Sequence, residues 1–174
     1  MIGLARGTVE LCEYHAEWKH RYEDERARLE AIAGEHINSI EHVGSTAIEG
    51  MPAKPVIDML ATVDEPESAD ALRPLLEENG YEYRPTDDVA GRLFFAKGPQ
   101  TNRTHYLSVT ERESTVSEET LVFRDYMRTH PVAAAEYAAL KRELAATYPA
   151  DRESYTDAKS TFVAAVLECA MNGE

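Results

Sequence analysis

The stretch SIEHVGSTAIEGMPAKPVIDML, from Ser39 to Leu60, decides how the chain folds. It begins and ends like a strand, and between its two apolar runs stand Gly-Ser-Thr, a second glycine, two prolines and Lys54. The second run is apolar except for Asp58. Gly44 can take backbone angles closed to other residues, so the chain can turn sharply out of the first strand. Ser45 and Thr46 can then cap a short helix and, with their backbone N–H groups, hold a phosphate. Asp58 follows some 13 residues after Ser45 on the next strand. A carboxylate beside a phosphate cradle can hold Mg²⁺ or Mn²⁺. A glycine-serine turn, a spacer and a strand carboxylate are the parts of a polymerase-type nucleotidyl transfer site. The bland alternative for Asp58 is a bond to backbone N–H groups or to an arginine, because a buried carboxylate without a partner costs several kcal/mol.

Outward from this stretch, Thr8 to Tyr14 reads as a short first strand. Trp18, Tyr22, the stem of Arg26, Leu29 and Ile32 recur at helical spacing from Ala16 to about Ala33, and Gly34 is a stop. Ile37 to Val43 and Pro55 to Val63 are the two strands. A helix enters at Pro66 with Leu72, Leu75 and Leu76 on its apolar side; Pro74 predicts a kink or a late start, and Gly80 a close. Tyr81 to Arg84, Arg92 to Lys97 and Arg103 to Thr110 read as strands, the last two joined by GPQTN. After Glu111 the spacing becomes helical three times over. The expected architecture is α+β: a mixed sheet with flanking helices up to about residue 112, then a three-helix lobe, within one domain over 1–174.

The chain carries 32 acids and 18 bases in 174 residues, a net charge of −14. Such a surface repels a nucleic-acid backbone, so non-specific polyanion binding is not expected, and a phosphate-bearing ligand must meet a basic pocket inside an acidic exterior. Only five of the 18 bases are lysine. High acid with little lysine suits a high-salt cytoplasm, where screening tolerates a large net charge. Cys12 and Cys169 stand alone at opposite ends, which is neither a disulfide framework nor a metal motif. No apolar run approaches the ~20 residues of a membrane helix and no signal peptide is visible, so a cytoplasmic protein off the membrane is expected.

EHVGSTAIEGMPAKPVIDML resembles the signature of the GrpB family, roughly E-H-[IV]-G-S-T-[AS]-[VI]-x-G-[LM]-x-[AS]-K-P-x-I-D. The likeness continues in GYEY, GRLFF, NRTHYLSV, FRDYMRTHP, EYAALKRELA and YTDAKSTFV, islands that span about residues 8 to 171. The resemblance implies a nucleotidyltransferase-superfamily fold; some family members are fused to dephospho-CoA kinase. Active nucleotidyltransferases usually carry Asp-x-Asp or Asp-x-Glu on the strand of Asp58, and here the second position is Leu60. The family's histidine-rich H-H-L-H-V is here HYLSV, which leaves His105.

The candidate catalytic and metal-holding residues are therefore Asp58 and Glu41, with Mg²⁺ or Mn²⁺ as cofactor; Glu82 is a weaker substitute. Phosphate or nucleotide contacts are expected from Gly44, Ser45, Thr46, Lys54 and Arg103. Arg103 and His105 are placed on one strand face. His105, Arg124, Lys141, Tyr155 and Lys159 are assigned to substrate binding in a cleft between sheet and helices. Lys141 is placed on the polar side of its helix, and an interlobe ion-pair network is the competing explanation for the charged members of this group. The leading function is metal-dependent nucleotidyl transfer from an NTP to a small acceptor. The rivals are a non-catalytic module that binds a nucleotide or coenzyme-A-like ligand or assists a partner enzyme, and a metal-dependent phosphoesterase.

Overall fold

In the computed structural model, which describes residues 2–85 and 91–173, five strands form one mixed sheet. The elements follow in the order α1 (Glu17–Ala33), β1 (Ser39–Val43), β2 (Ile57–Val63), α2 (Pro66–Glu78), β3 (Tyr81–Tyr83), β4 (Arg92–Lys97), β5 (His105–Glu111), α3 (Thr115–Thr129), α4 (Pro131–Thr147) and α5 (Arg152–Met171). The strand order is β1-β2-β5-β4-β3. Only β2 and β5 pair in parallel; the other neighbours are antiparallel. The α+β reading holds, with β1 beside β2 and three helices after the sheet.

Strand alternation sorts β2 onto two faces. Ile57, Met59, Ala61 and Val63 pack with Leu107, Val109 and Phe95 against Trp18 and Leu29 of α1 and Leu72 and Leu76 of α2. Asp58 and Leu60 point to the opposite face, where α3, α4 and α5 lie. There a second cluster joins Ile48 and Met51 of the β1–β2 loop to Met127, Tyr137, Ala138 and Val166 of the three helices. The loop after the glycine-serine turn is thus built into the helical core. At the edge of the sheet, Tyr22 donates to the Ile40 carbonyl and Arg124 to the His42 carbonyl. Those bonds occupy the outward acceptors of β1 that would otherwise recruit another strand.

Three sequence expectations are corrected here. The segment 8–14 is not a strand: Cys12 exchanges two backbone hydrogen bonds with Ala53 as an isolated bridge, and Leu4 does the same with Arg103. The N-terminal segment spends its polar groups on the loops before β2 and β5. The buried stripe of α1 runs Trp18, Tyr22, Glu25, Leu29, Ala33, so it passes through Glu25 and leaves Arg26 exposed. Glu25 is tolerated there because Lys97, Arg28 and Tyr81 all donate to its carboxylate. Pro74 does not delay the helix: α2 begins at Pro66 and runs on through it. Pro74 is exposed, as is Asp70, whose carbonyl it deprives of a donor, so solvent can satisfy that carbonyl while Leu72 and Leu76 anchor the helix.

Candidate functional site

The chain leaves β1 at Val43 and turns at Gly44, whose φ of 70° and ψ of −171° lie in a region that only glycine occupies at low cost. A Cβ on Gly44 would stand 2.6 Å from Asp58 Oδ2 and 3.1 Å from Asp58 Cβ. Glycine is therefore required twice, for its conformation and for the approach of the turn to the carboxylate. Asp58 itself has Val43 as its antiparallel partner and Tyr106 as its parallel partner. Helices roof this point of the sheet: Phe123 from α3, Tyr137 and Lys141 from α4, Tyr155 and Lys159 from α5. Together with Gly44, Ser45, Thr46 and Lys54 they enclose a cavity of about 130 Å³.

Three lysines line the cavity together with this one carboxylate. Lys141 is 1% exposed; its Nζ donates to the Pro52 carbonyl and lies 4.9 Å from the Tyr137 ring centre. Lys54 and Lys159 place their Nζ atoms 5.9 and 4.7 Å from the ring centre of Tyr155, itself buried. Burial disfavours each positive charge; neighbouring lysines add to the effect at Lys141 and Lys159, Arg152 adds to it at Lys54 and Lys159, and Asp58 opposes it at all three. Lys141 is pulled down to about 6 and Lys159 to about 8, and Lys54 is lowered as well. Burial raises Asp58, against the opposing pull of Lys54, Lys159, Arg152 and Arg92. The Asp58 carboxylate opens into the cavity and makes no hydrogen bond or salt bridge to a described residue. Burial also pushes Tyr137 up to about 12, partly offset by the Ser45 hydroxyl beside it.

Of the residues singled out in the sequence, Gly44, Ser45, Thr46, Lys54, Asp58, Lys141, Tyr155 and Lys159 line this cavity. Lys141 is on the buried face of α4, not its polar side, because it stands one turn after Tyr137 and shares that residue's direction. Glu41 shares the sheet face of Asp58 as its diagonal neighbour across β1 and β2, but its carboxylate is held by Arg124 at 2.6 Å and lies outside the cavity lining. Arg124 also donates to the His42 carbonyl and so ties α3 to β1. Arg103 precedes β5 and donates to Glu82 and to the Gly98 carbonyl, each at 2.6 Å. It does not share a face with His105. That histidine pairs in register with Ile57, on the face opposite Asp58, where burial lowers it to about 4. Sequence reasoning did not assign Tyr106, Tyr137 or Arg152 to the site. Tyr106 becomes visible only once β2 and β5 are known to be parallel neighbours; Arg152 stands one turn before Tyr155 and two before Lys159 on α5, its guanidinium 5.4 Å from the Tyr106 ring centre. Thr46 also borders a larger groove of about 790 Å³, between α1, the β1–β2 loop and the α3–α4 corner. That groove is away from Asp58 and mixes Lys19 and Arg128 with Glu23 and Glu49, so it lacks the concentrated charge of the smaller cavity.

The donor set can be tested against the expected Mg²⁺ or Mn²⁺. Such hard cations take oxygen ligands, with carboxylates supplying the charge. The cavity offers one carboxylate among three lysines, and no cluster of three His, Cys, Asp or Glu side chains exists among the described residues. The strand positions that would add acids carry Leu60, Tyr106 and Ser108. These residues do not fit a divalent cation held by the protein. The chemistry they do fit is the capture of an anion with several negative oxygens.

No helix among the described residues is long and apolar enough to cross a membrane. The chain is 38% identical over 155 residues to the UPF0157 protein YqkA of Bacillus subtilis, a match that covers 89% of this chain and 45% of that protein. The crystal structure of the conserved protein GrpB from Enterococcus faecalis superposes with a TM-score of 0.85 at 33% identity, covering 94% of this chain and 98% of that one. The Cid1 poly(U) polymerase superposes with a TM-score of 0.50 at 12% identity over 76% of this chain and 44% of its own, a likeness of fold. The model of the GrpB protein family matches residues 8–169, and the chain belongs to that family.

Proposed function

We propose that the cavity over Asp58 binds a small phosphate-bearing ligand, a nucleotide by preference. The observation that carries this is the convergence of Lys54, Lys141 and Lys159 on one enclosed space in a chain of net charge −14. Asp58 is the one acid in the lining against three buried amines, so further negative charge is favoured there, and the amines are placed by the Tyr155 and Tyr137 rings and the Pro52 carbonyl rather than by salt bridges. The Cid1 structure, solved bound to MgATP, supports a nucleotide as the ligand. Isothermal titration with ATP, ADP and tripolyphosphate tests the reading. Binding in the micromolar range is expected, and Lys54→Met and Lys159→Met should each weaken it by about tenfold or more, about 1.4 kcal/mol. Failure of every phosphate compound to bind, or equal binding by the lysine variants, would overturn it.

A second reading, nucleotidyl transfer at the same site, is favoured by the tight seat of the Gly44 turn on Asp58 within a fold shared with a polymerase. In that reaction the acceptor oxygen bonds to the α-phosphorus of the NTP and pyrophosphate leaves. Pyrophosphate release with candidate acceptors measures it; occupancy of the cavity without turnover would leave the binding function standing alone.

A further inference from the structure

We infer that Asp58 is the resident counter-charge of the cavity's lysines, and that a phosphate-bearing ligand takes its electrostatic place and binds without a divalent cation. This rests on the binding reading above and adds how the ligand is recognised. The geometry has three parts. First, the lysines are positioned without Asp58: Lys141 by the Pro52 carbonyl and the Tyr137 ring, Lys54 and Lys159 by the Tyr155 ring. Second, the Asp58 carboxylate has no hydrogen bond or salt bridge to a described residue, so among those residues no polar partner fixes it as a structural bracket, although the Gly44 turn packs against it. Third, the site offers one carboxylate where two metal ions would need several, and its other polar side chains are three lysines and the neutral hydroxyls of Ser45, Thr46, Tyr106, Tyr137 and Tyr155.

A carboxylate so placed serves the empty protein. It offsets part of the positive charge of Lys54, Lys159, Arg152 and Arg92 when no ligand is there. Once a phosphate group enters, the same carboxylate repels it. The burial that raises Asp58 acts in the same direction, since the charged carboxylate is the costly form here. Asp58 is then a brake on ligand affinity. The opposite holds if the residue anchors a metal: the carboxylate would be the bridge through which phosphate is held.

The two roles give opposite signs for one substitution. Asp58→Asn keeps the shape and removes the charge. Titration with tripolyphosphate and with ATP at pH 6.5, in EDTA and in Mn²⁺, should show wild-type binding that EDTA leaves intact. Asp58→Asn should then bind about tenfold more tightly. Asp58→Ser, which also removes the charge with less bulk beside Gly44, should show the same direction and serves if the asparagine variant does not fold. Binding lost in EDTA, or weaker binding by both variants, would overturn the inference while leaving the cavity as the ligand site. No binding by wild type or variants under either condition would overturn both this inference and the binding reading.

Discussion

Replacing Gly44 by alanine tests the packing that creates the cavity. Two costs are expected, and they separate. The backbone angles at Gly44 belong to a region that other residues enter at about 1–3 kcal/mol. The new methyl group would also meet Asp58 Oδ2 at 2.6 Å and Asp58 Cβ at 3.1 Å, both inside normal contact. Forcing such a pair apart adds about 1–3 kcal/mol. Gly44→Ala should thus lose roughly 2–6 kcal/mol, which for a chain of this size lowers Tm by roughly 4–24 °C. In an Asp58→Gly background the side-chain atoms are gone, and only the conformational cost should remain. Urea unfolding of the four proteins forms a double-mutant cycle, and a coupling of about 1–3 kcal/mol is expected. If Gly44→Ala is equally damaging in both backgrounds, the turn does not lean on the carboxylate as described.

Stability should rise with pH from about 6 towards the unfolded lysine value near 10.4, because Lys141 and Lys159 bind protons more weakly when folded and the unfolded chain holds more protons in that window. Lys141→Met should flatten this rise between pH 7 and 9, read from urea midpoints; an unchanged slope would show that Lys141 is not the group responsible. Glu25→Gln should cost about 3–5 kcal/mol by leaving the Lys97 ammonium short of its anion, and a loss under 1 kcal/mol in chemical denaturation would mean the buried pair is dispensable. The same carboxyl is lowered by hydrogen bonds and charge from Lys97 in opposition to burial, so its contribution should fade as pH drops below about 4.5. The acid excess predicts an unfolding midpoint that climbs from low to molar KCl; a flat midpoint would remove the high-salt explanation of the composition.

The strand-turn-strand unit around Gly44 was legible because every local signal agreed: alternation, a glycine, prolines in the loop and an apolar second strand. The helices after Glu111 were legible for the same reason. What sequence could not show was pairing. Tyr106 belongs beside Asp58 only because β5 runs parallel to β2, and His105 is turned away by the same register. Lys141 and Glu25 look like surface charges by type, yet both sit on buried faces at helical spacing from apolar residues, and only tertiary partners explain them. The turn spacing of Tyr137 with Lys141, and of Arg152 with Tyr155 and Lys159, was the available signal for the roof of the cavity. Arg103 and Arg124 are drawn to Glu82 and Glu41, choices among several acids that spacing does not rank.

The binding function requires a phosphate group in the cavity over Asp58. A crystal structure of the protein grown with ATP in the presence of EDTA tests this most directly. Phosphate oxygens are expected in the cavity over Asp58, within hydrogen-bonding distance of at least two of the Lys54, Lys141 and Lys159 Nζ atoms. ATP bound instead in the groove beside Thr46 and Arg128, with the cavity left to water, would contradict it.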